Sequence, residues 1–258
     1  MKIAITGKGG VGKTTVVVML GKVLHDKGFN VLFIDADPDM NLATLLGIPE
    51  DIHVTPIVAL KELIAERTGV PLNEPAPFFK MNPKVDDIPE RYCIRHNGFK
   101  LMVMGTVQKG GGGCACPENA FLKTLLTYLM ISSDEWVLLD MEAGIEHLGR
   151  GTATGVDHMI IVVEPNRTSI ETARRIKKLA GDLRIKSLKV IGNKIQHPEE
   201  EEFLKEEMKG FDTIGYISYA DDIRRLSLRK ISLHEVGRDS LQEFEKIVHS
   251  LRKQSSSS

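Results

Sequence analysis

Residues 7–15 read Gly-Lys-Gly-Gly-Val-Gly-Lys-Thr-Thr, and Gly7, Gly12, Lys13 and Thr14 meet the spacing G-x-x-x-x-G-K-[ST] of a phosphate-binding loop. The residue types explain the chemistry. Glycines let the backbone N–H groups of Gly9, Gly10, Val11 and Gly12 turn inward around phosphate oxygens, and the helix that follows adds the partial positive charge of its N-terminus. Lys13 supplies a point charge, the Thr14 hydroxyl is a magnesium ligand, and Thr15 completes the run.

Two further stretches carry carboxylates to the ends of apolar runs. "FIDADPDMN", residues 33–41, holds Asp35, Asp37 and Asp39, followed by Asn41. "WVLLDMEAGIEHLGRG", residues 136–151, holds Asp140, placed at the end of a strand where such proteins hold the magnesium shell. The Ala-Gly that follows would begin a segment able to sense the terminal phosphate, with His147 and Arg150 as its polar members. "VIGNKI" puts Asn193 and Lys194 after another strand, and Gln196 stands where a guanine-reading loop would need aspartate, so ATP is favoured over GTP.

A different chemistry sits in "GGGGCACPEN", residues 110–119. In an extended segment the side chains of Cys114 and Cys116 point the same way. They are half of a four-ligand metal site, and a two-fold dimer would supply the other half. Pro117 suits the first position of a helix, so Cys116 is expected at a helix N-terminus with its thiol pKa lowered toward the metal-binding thiolate. Thiolate softness allows zinc, copper(I) or an iron-sulfur cluster. Cys93 has no neighbour in sequence and reads as inert.

These residues need a scaffold, and the pattern of the chain supplies one. "KIAIT", "NVLFID", "KLMVMG", "WVLLD", "MIIVVE", "LKVIGN" and "TIGYI" are short apolar runs bounded by Gly, Asp, Asn or Pro, as buried strands are. Helix-like segments at 14–27, 118–131, 169–183 and 199–209 alternate with them. The fold class is therefore α/β, a mainly parallel sheet flanked by helices on both faces, with the site at the carboxyl ends of the strands. Residues 50–99 carry six prolines and read as a loop-rich insertion with one helix near 58–67. Residues 1–254 are expected to form one ATPase domain ending in an amphipathic helix over 240–253, with 255–258 a frayed tail.

The chain has 258 residues, 34 basic against 35 acidic, for a formal net charge of -1. No overall field attracts nucleic acid or acidic lipid. No apolar run approaches the ~20 residues that span a bilayer, and the N-terminus lacks the pattern of a secretory signal, so a cytoplasmic protein is expected, with neither nucleic acid nor membrane as partner. Three cysteines in a reducing compartment suit metal or redox work better than bridges.

Lys8, directly after the first glycine, makes the loop K-G-G-V-G-K-T-T, which resembles the deviant Walker A group of P-loop ATPases: partitioning, septum-positioning, arsenite-pump and nitrogenase iron proteins. The resemblance implies that Lys8 reaches the phosphates bound by a partner subunit, that Asp37 positions the attacking water, that Asp35 lies by the magnesium shell and that Asn193 binds adenine. Together with Cys-Ala-Cys-Pro and "AGIEHLGRGT", the loop is similar to the CooC-type ATPases. That likeness implies an ATP-driven homodimer that assists nickel insertion into carbon monoxide dehydrogenase or acetyl-CoA synthase, with Ni2+ (or Zn2+) held at the interface. Nitrogenase-type electron transfer is the alternative, but Met141 and Glu142 follow the strand aspartate where that pattern has a cysteine nearby. A spatial-organiser ATPase would want a basic amphipathic terminus, whereas "EFEKIVHSLRK" is of mixed charge.

Overall fold

A computed structural model describes residues 1–71, 78–106, 116–144 and 150–255. Eight strands form one sheet: β1 (Lys2–Gly7), β2 (Val31–Ala36), β3 (Ile94–His96), β4 (Phe99–Val103), β5 (Trp136–Met141), β6 (His158–Val163), β7 (Leu188–Ile195) and β8 (Asp212–Ser218). Their spatial order is β3-β4-β2-β5-β1-β6-β7-β8. Every neighbouring pair is parallel except β3 with β4.

All seven expected strands are present, and β3 is an eighth. It is a three-residue edge strand turned back through Asn97 and Gly98, both at positive φ, the conformation a tight hairpin demands. The proline-rich stretch also holds helix α3 (Lys61–Thr68), a short helix α4 (Ile88–Tyr92) and a 3-10 turn at Ile57–Ala59. Ile57, Leu63, Ile64, Val85 and Ile88 are buried in the core, so this stretch covers part of one sheet face.

Alternation along each strand splits the core in two. Ile3, Ile5, Phe33, Leu138, Ile160, Val162 and Ile191 face helix α1 (Lys13–Asp26) and the last helix, α10 (Arg238–Ser255). Ala4, Leu32, Ile34, Val137, Leu139, Met159, Ile161 and Val163 face the opposite layer. That layer includes α5 (Pro117–Ser132), α7 (Arg167–Asp182) and α8 (Pro198–Glu207). The remaining short helices are α2 (Leu42–Leu45), α6 (Arg150–Thr154) and α9 (Asp221–Ser227). In α10, Leu241, Phe244, Ile247, Val248 and Leu251 repeat every three or four residues and are all buried, so this terminus docks on its own sheet.

The approach of α1 to the sheet is set by Gly21, because a Cβ there would overlap the ring of Phe33. Phe33 is fully buried and meets Phe99 edge-on at 5.5 Å, so the ring cannot swing aside. Helix propensity alone would make Gly21→Ala stabilising by up to about 1 kcal/mol. We expect the opposite sign, a loss of about 1–3 kcal/mol from overpacking, read from urea denaturation; a variant as stable as the parent would refute this account of the contact.

Candidate functional site

Asp35 and Asp140 are cross-strand partners in the register of β2 against β5. Each lies two residues beyond a side chain of the α1-facing core, Phe33 and Leu138, so both carboxylates emerge on the face where α1 begins. Both are fully buried. Their surroundings differ. Asp35 accepts hydrogen bonds from the Asp37 N–H at 3.2 Å and the Leu42 N–H at 3.0 Å, one on each oxygen. Neither oxygen of Asp140 has a hydrogen-bond partner among the described residues; the Thr14 hydroxyl is near enough to favour its ionised form but closes no bond.

Burial raises both pKa values, with mutual repulsion adding to it for Asp140. Asp35 is pushed up to about 6, its two N–H donors opposing the shift. Asp140 is pushed up to about 7, with Thr14 and Lys13 opposing. A buried carboxylate with spare acceptor capacity beside a threonine hydroxyl is a donor set suited to a hard, oxygen-seeking cation such as Mg2+.

The phosphate loop stands over these acids. Gly7, Gly10 and Gly12 have positive φ, and a Cβ on Gly7 would strike the Val162 carbonyl, so the loop's glycines are needed for both backbone path and space. Lys13 is buried, and its Nζ lies 3.3 Å from Asp37 Oδ2. Asp37 in turn accepts from the Asp39 N–H at 3.1 Å. On the other side, Thr6 donates to the Glu142 carbonyl at 2.7 Å, which ties the start of the second carboxylate segment to β1.

A cavity of about 590 Å³ is lined by Gly9, Gly10, Gly12, Lys13, Thr14 and Thr15 from the loop, Asp37 and Asp39 from the first acidic segment, and Glu142 to Gly144 from the second. Lys8 is exposed, as are Asp39 and Asn41. A second cavity of about 280 Å³ shares Gly12, Thr15 and Ser227 with the first and is walled by Val16, Tyr219, Ile223 and Phe244. A polar cavity joined to a smaller, more apolar one suits a triphosphate and an aromatic base. Asn193 borders the second cavity, buried, with its Nδ2 given to the Val11 carbonyl at 2.8 Å. Its carbonyl oxygen is an acceptor of the kind an amino group on a base requires.

Sequence reasoning missed Tyr219, Ile223 and Arg224, which come from the β8–α9 corner. No motif marks them. It also mistook the state of Cys116. This residue does cap α5, its Sγ accepting from the Asn119 N–H at 3.4 Å. Its pKa is nevertheless raised, because partial burial and the neighbouring Glu118 outweigh that N–H. Cys93 is half-buried, its thiol pushed up to about 11 by burial, as befits an inert residue. Cys114 and His147 lie outside the described residues, and of Arg150 only the backbone, at the start of α6, is described.

Comparison with known proteins gives three findings. The model of the CobQ/CobB/MinD/ParA nucleotide binding domain matches residues 2–233. The carbon monoxide dehydrogenase accessory protein CooC of Rhodospirillum rubrum is 45% identical over 238 residues, 92% of this chain and 90% of that protein, and an uncharacterized ATP-binding protein of Methanocaldococcus jannaschii is 45% identical over 86% of this chain and 87% of its own. The solved structure of the cell division protein MinD from Aquifex aeolicus shares the fold, with a TM-score of 0.68 at 23% identity over 98% of this chain and 97% of that one.

The raised pKa of Asp140 has a thermodynamic consequence. Between the ordinary carboxylate range and about 7 the folded protein keeps a proton that the unfolded chain has lost, so its contribution to stability falls as pH rises through that window. In EDTA, Asp140→Asn is expected to be more stable than the parent at about pH 8, by on the order of a few kcal/mol, and to converge with it near about pH 4. Denaturant curves across that range test this; an Asn variant no more stable at the alkaline end would contradict it.

Proposed function

The chain belongs to the CobQ/CobB/MinD/ParA nucleotide-binding family and, within it, to the CooC-type ATPases, and from that premise we propose that it is a Mg2+-dependent, dimerising ATPase that assists nickel insertion into carbon monoxide dehydrogenase or acetyl-CoA synthase. The observation that carries the reading is the meeting of the loop, Lys13, Asp37 and the unsatisfied Asp140 around one cavity, in a chain so similar to a carbon monoxide dehydrogenase accessory protein.

Each residue has a defined task in this reading. The loop from Gly9 to Thr15 cradles the phosphates and Lys13 neutralises their charge. Thr14 and Asp140, with Asp35 behind them, would hold the magnesium, which when bound screens the phosphate oxygens. Asp37, released from Lys13 when phosphate takes its place, is free to orient the attacking water. Asn193 faces the base.

Lys8 acts across the two-fold axis on the partner's nucleotide. Its exposure beside cavity-lining Gly9 is compatible with that reach, and the exposed Met40, Tyr219 and Leu228, each lining one of the two cavities or next in sequence to a residue that does, are apolar surface that a second copy would cover. Nickel is cargo. Cys114 and Cys116 from two subunits supply four sulfur donors, and a metal bound there would draw the Cys116 thiol into its thiolate form.

Size-exclusion chromatography with metal analysis, run with and without ATP and nickel, tests the whole reading. Lys13→Ala should weaken ATP binding by about 100-fold or more, near 2.7 kcal/mol. Lys8→Ala should leave ATP affinity within about threefold and lower turnover by about 10³-fold, the scale of a charge supplied in trans. Replacing Cys114 and Cys116 with serine should abolish nickel-promoted dimerisation with ATP binding by the monomer intact. Equal binding losses for the two lysine variants, or unchanged nickel stoichiometry in the serine variant, would count against these roles.

A further inference from the structure

Two consecutive residues of β7 grip two consecutive carbonyls of the phosphate loop. Asn193 Nδ2 donates to the Val11 carbonyl at 2.8 Å, and Lys194 Nζ donates to the Gly10 carbonyl at 2.6 Å. Neighbouring side chains on a regular strand point to opposite faces, so this double grip needs a break in the strand. The break is visible. Lys194 has φ +60, in the left-handed region that side chains other than glycine rarely occupy, and the pairing of β7 with β8 shifts register between Gly192 and Ile195. Strain of this kind persists where the surroundings enforce it and often marks function.

Lys194 is itself held. Its Nζ pairs with Glu164 Oε1 at 2.5 Å. The other oxygen of Glu164 accepts from Asn166 Nδ2 at 3.1 Å, and Asn166 caps α7 by accepting from the Ser169 N–H. A chain of contacts thus runs from the start of α7 through Glu164 and Lys194 to the loop. In a trans peptide the N–H points opposite to the carbonyl of the same plane. Fixing the Gly10 carbonyl toward β7 turns the Val11 N–H away from it, where it closes the loop by donating to the Lys8 carbonyl at 3.3 Å. Fixing the Val11 carbonyl likewise turns the Gly12 N–H away.

We propose that Lys194, braced by Glu164, is a positioning residue for the phosphates: it sets the peptide plane between Gly10 and Val11, and with it the shape of the loop, before nucleotide arrives. The inference rests on the nucleotide-binding reading above. It differs from a simple attraction between the lysine charge and the phosphates in the sign of one experiment. Glu164→Gln leaves the lysine charged and removes a nearby negative charge, so attraction alone predicts tighter ATP binding, whereas loss of the brace predicts weaker binding.

Affinities for ATP and, by competition, for adenosine are measured by fluorescence titration on the full chain, alongside melting temperatures. Lys194→Met should weaken ATP about tenfold and adenosine, whose cavity Lys194 also borders, much less, Lys194→Arg should recover part of the loss, and Glu164→Gln should weaken ATP about threefold. Unaltered ATP affinity in Lys194→Met, a parallel loss of adenosine, or tighter ATP binding by Glu164→Gln would each overturn the proposal. Should Lys194→Met fail to fold, Glu164→Gln decides alone. A parent protein that binds no ATP would instead remove the nucleotide reading on which this one stands.

Discussion

The site is organised by the burial of two carboxylates side by side. Adjacent strands in a sheet lie about 4.8 Å apart, and Asp35 and Asp140 are register partners with no exposed surface. Two like charges so placed cannot both ionise without help. The chain answers them differently. Asp35 takes two backbone N–H donors and becomes the point around which the segment from Asp37 to Leu42 folds. Asp140 is left without a partner among the described residues, and burial pushes its pKa up to about 7. The strand order requires this arrangement, because β5 sits between β2 and β1 and so brings both acids under the phosphate loop.

From that pair the connections run outward around the cleft. Lys13 reaches Asp37, and Asp37 holds the turn at Asp39. Thr6, just ahead of the loop, holds the Glu142 carbonyl where the second acidic segment leaves β5. An anion arriving at Lys13 must therefore compete with Asp37, and the winner changes the partners of the first segment. Exchange of one ion pair for another in a partly dry site is inexpensive, since neither state leaves the lysine unpaired. Under the proposed function, this exchange is the route by which phosphate occupancy would reach the first acidic segment.

Much of this was legible in the sequence. Seven strands, the main helices and the loop with its acids announce themselves because each rests on a local rule: apolar runs bounded by turn residues, glycines at fixed offsets, a carboxylate at a strand end. The parts that were not legible depend on three-dimensional closure. β3 is only three residues long, and its Asn-Gly turn was lost among prolines. Tyr219 and Ile223 join the site only because β8 lies beside β7. The Cys116 thiol was expected to be acidified by its helix, and the helix N–H is indeed there; the extent of burial, which opposes it, has no sequence signature.

Lys194 illustrates the same limit from the opposite side. In a regular strand it would point away from Asn193. Its positive φ reverses that direction. Several departures from local rules meet at this corner: left-handed Lys194 and Met40, a glycine at Gly12 whose added Cβ would sit 2.6 Å from Asn193 Nδ2, and a buried acid without a bond among the described residues. Left-handed backbone at a side-chain-bearing residue and an unbonded buried acid each cost stability, so their retention here points to a role beyond folding. Left-handed Asn97, Arg184 and Arg229 lie in turns elsewhere, so positive φ alone marks nothing; it is the meeting of strained backbone, a crowded glycine and an unbonded buried acid at the carboxyl ends of β1, β2, β5 and β7 that sets this corner apart.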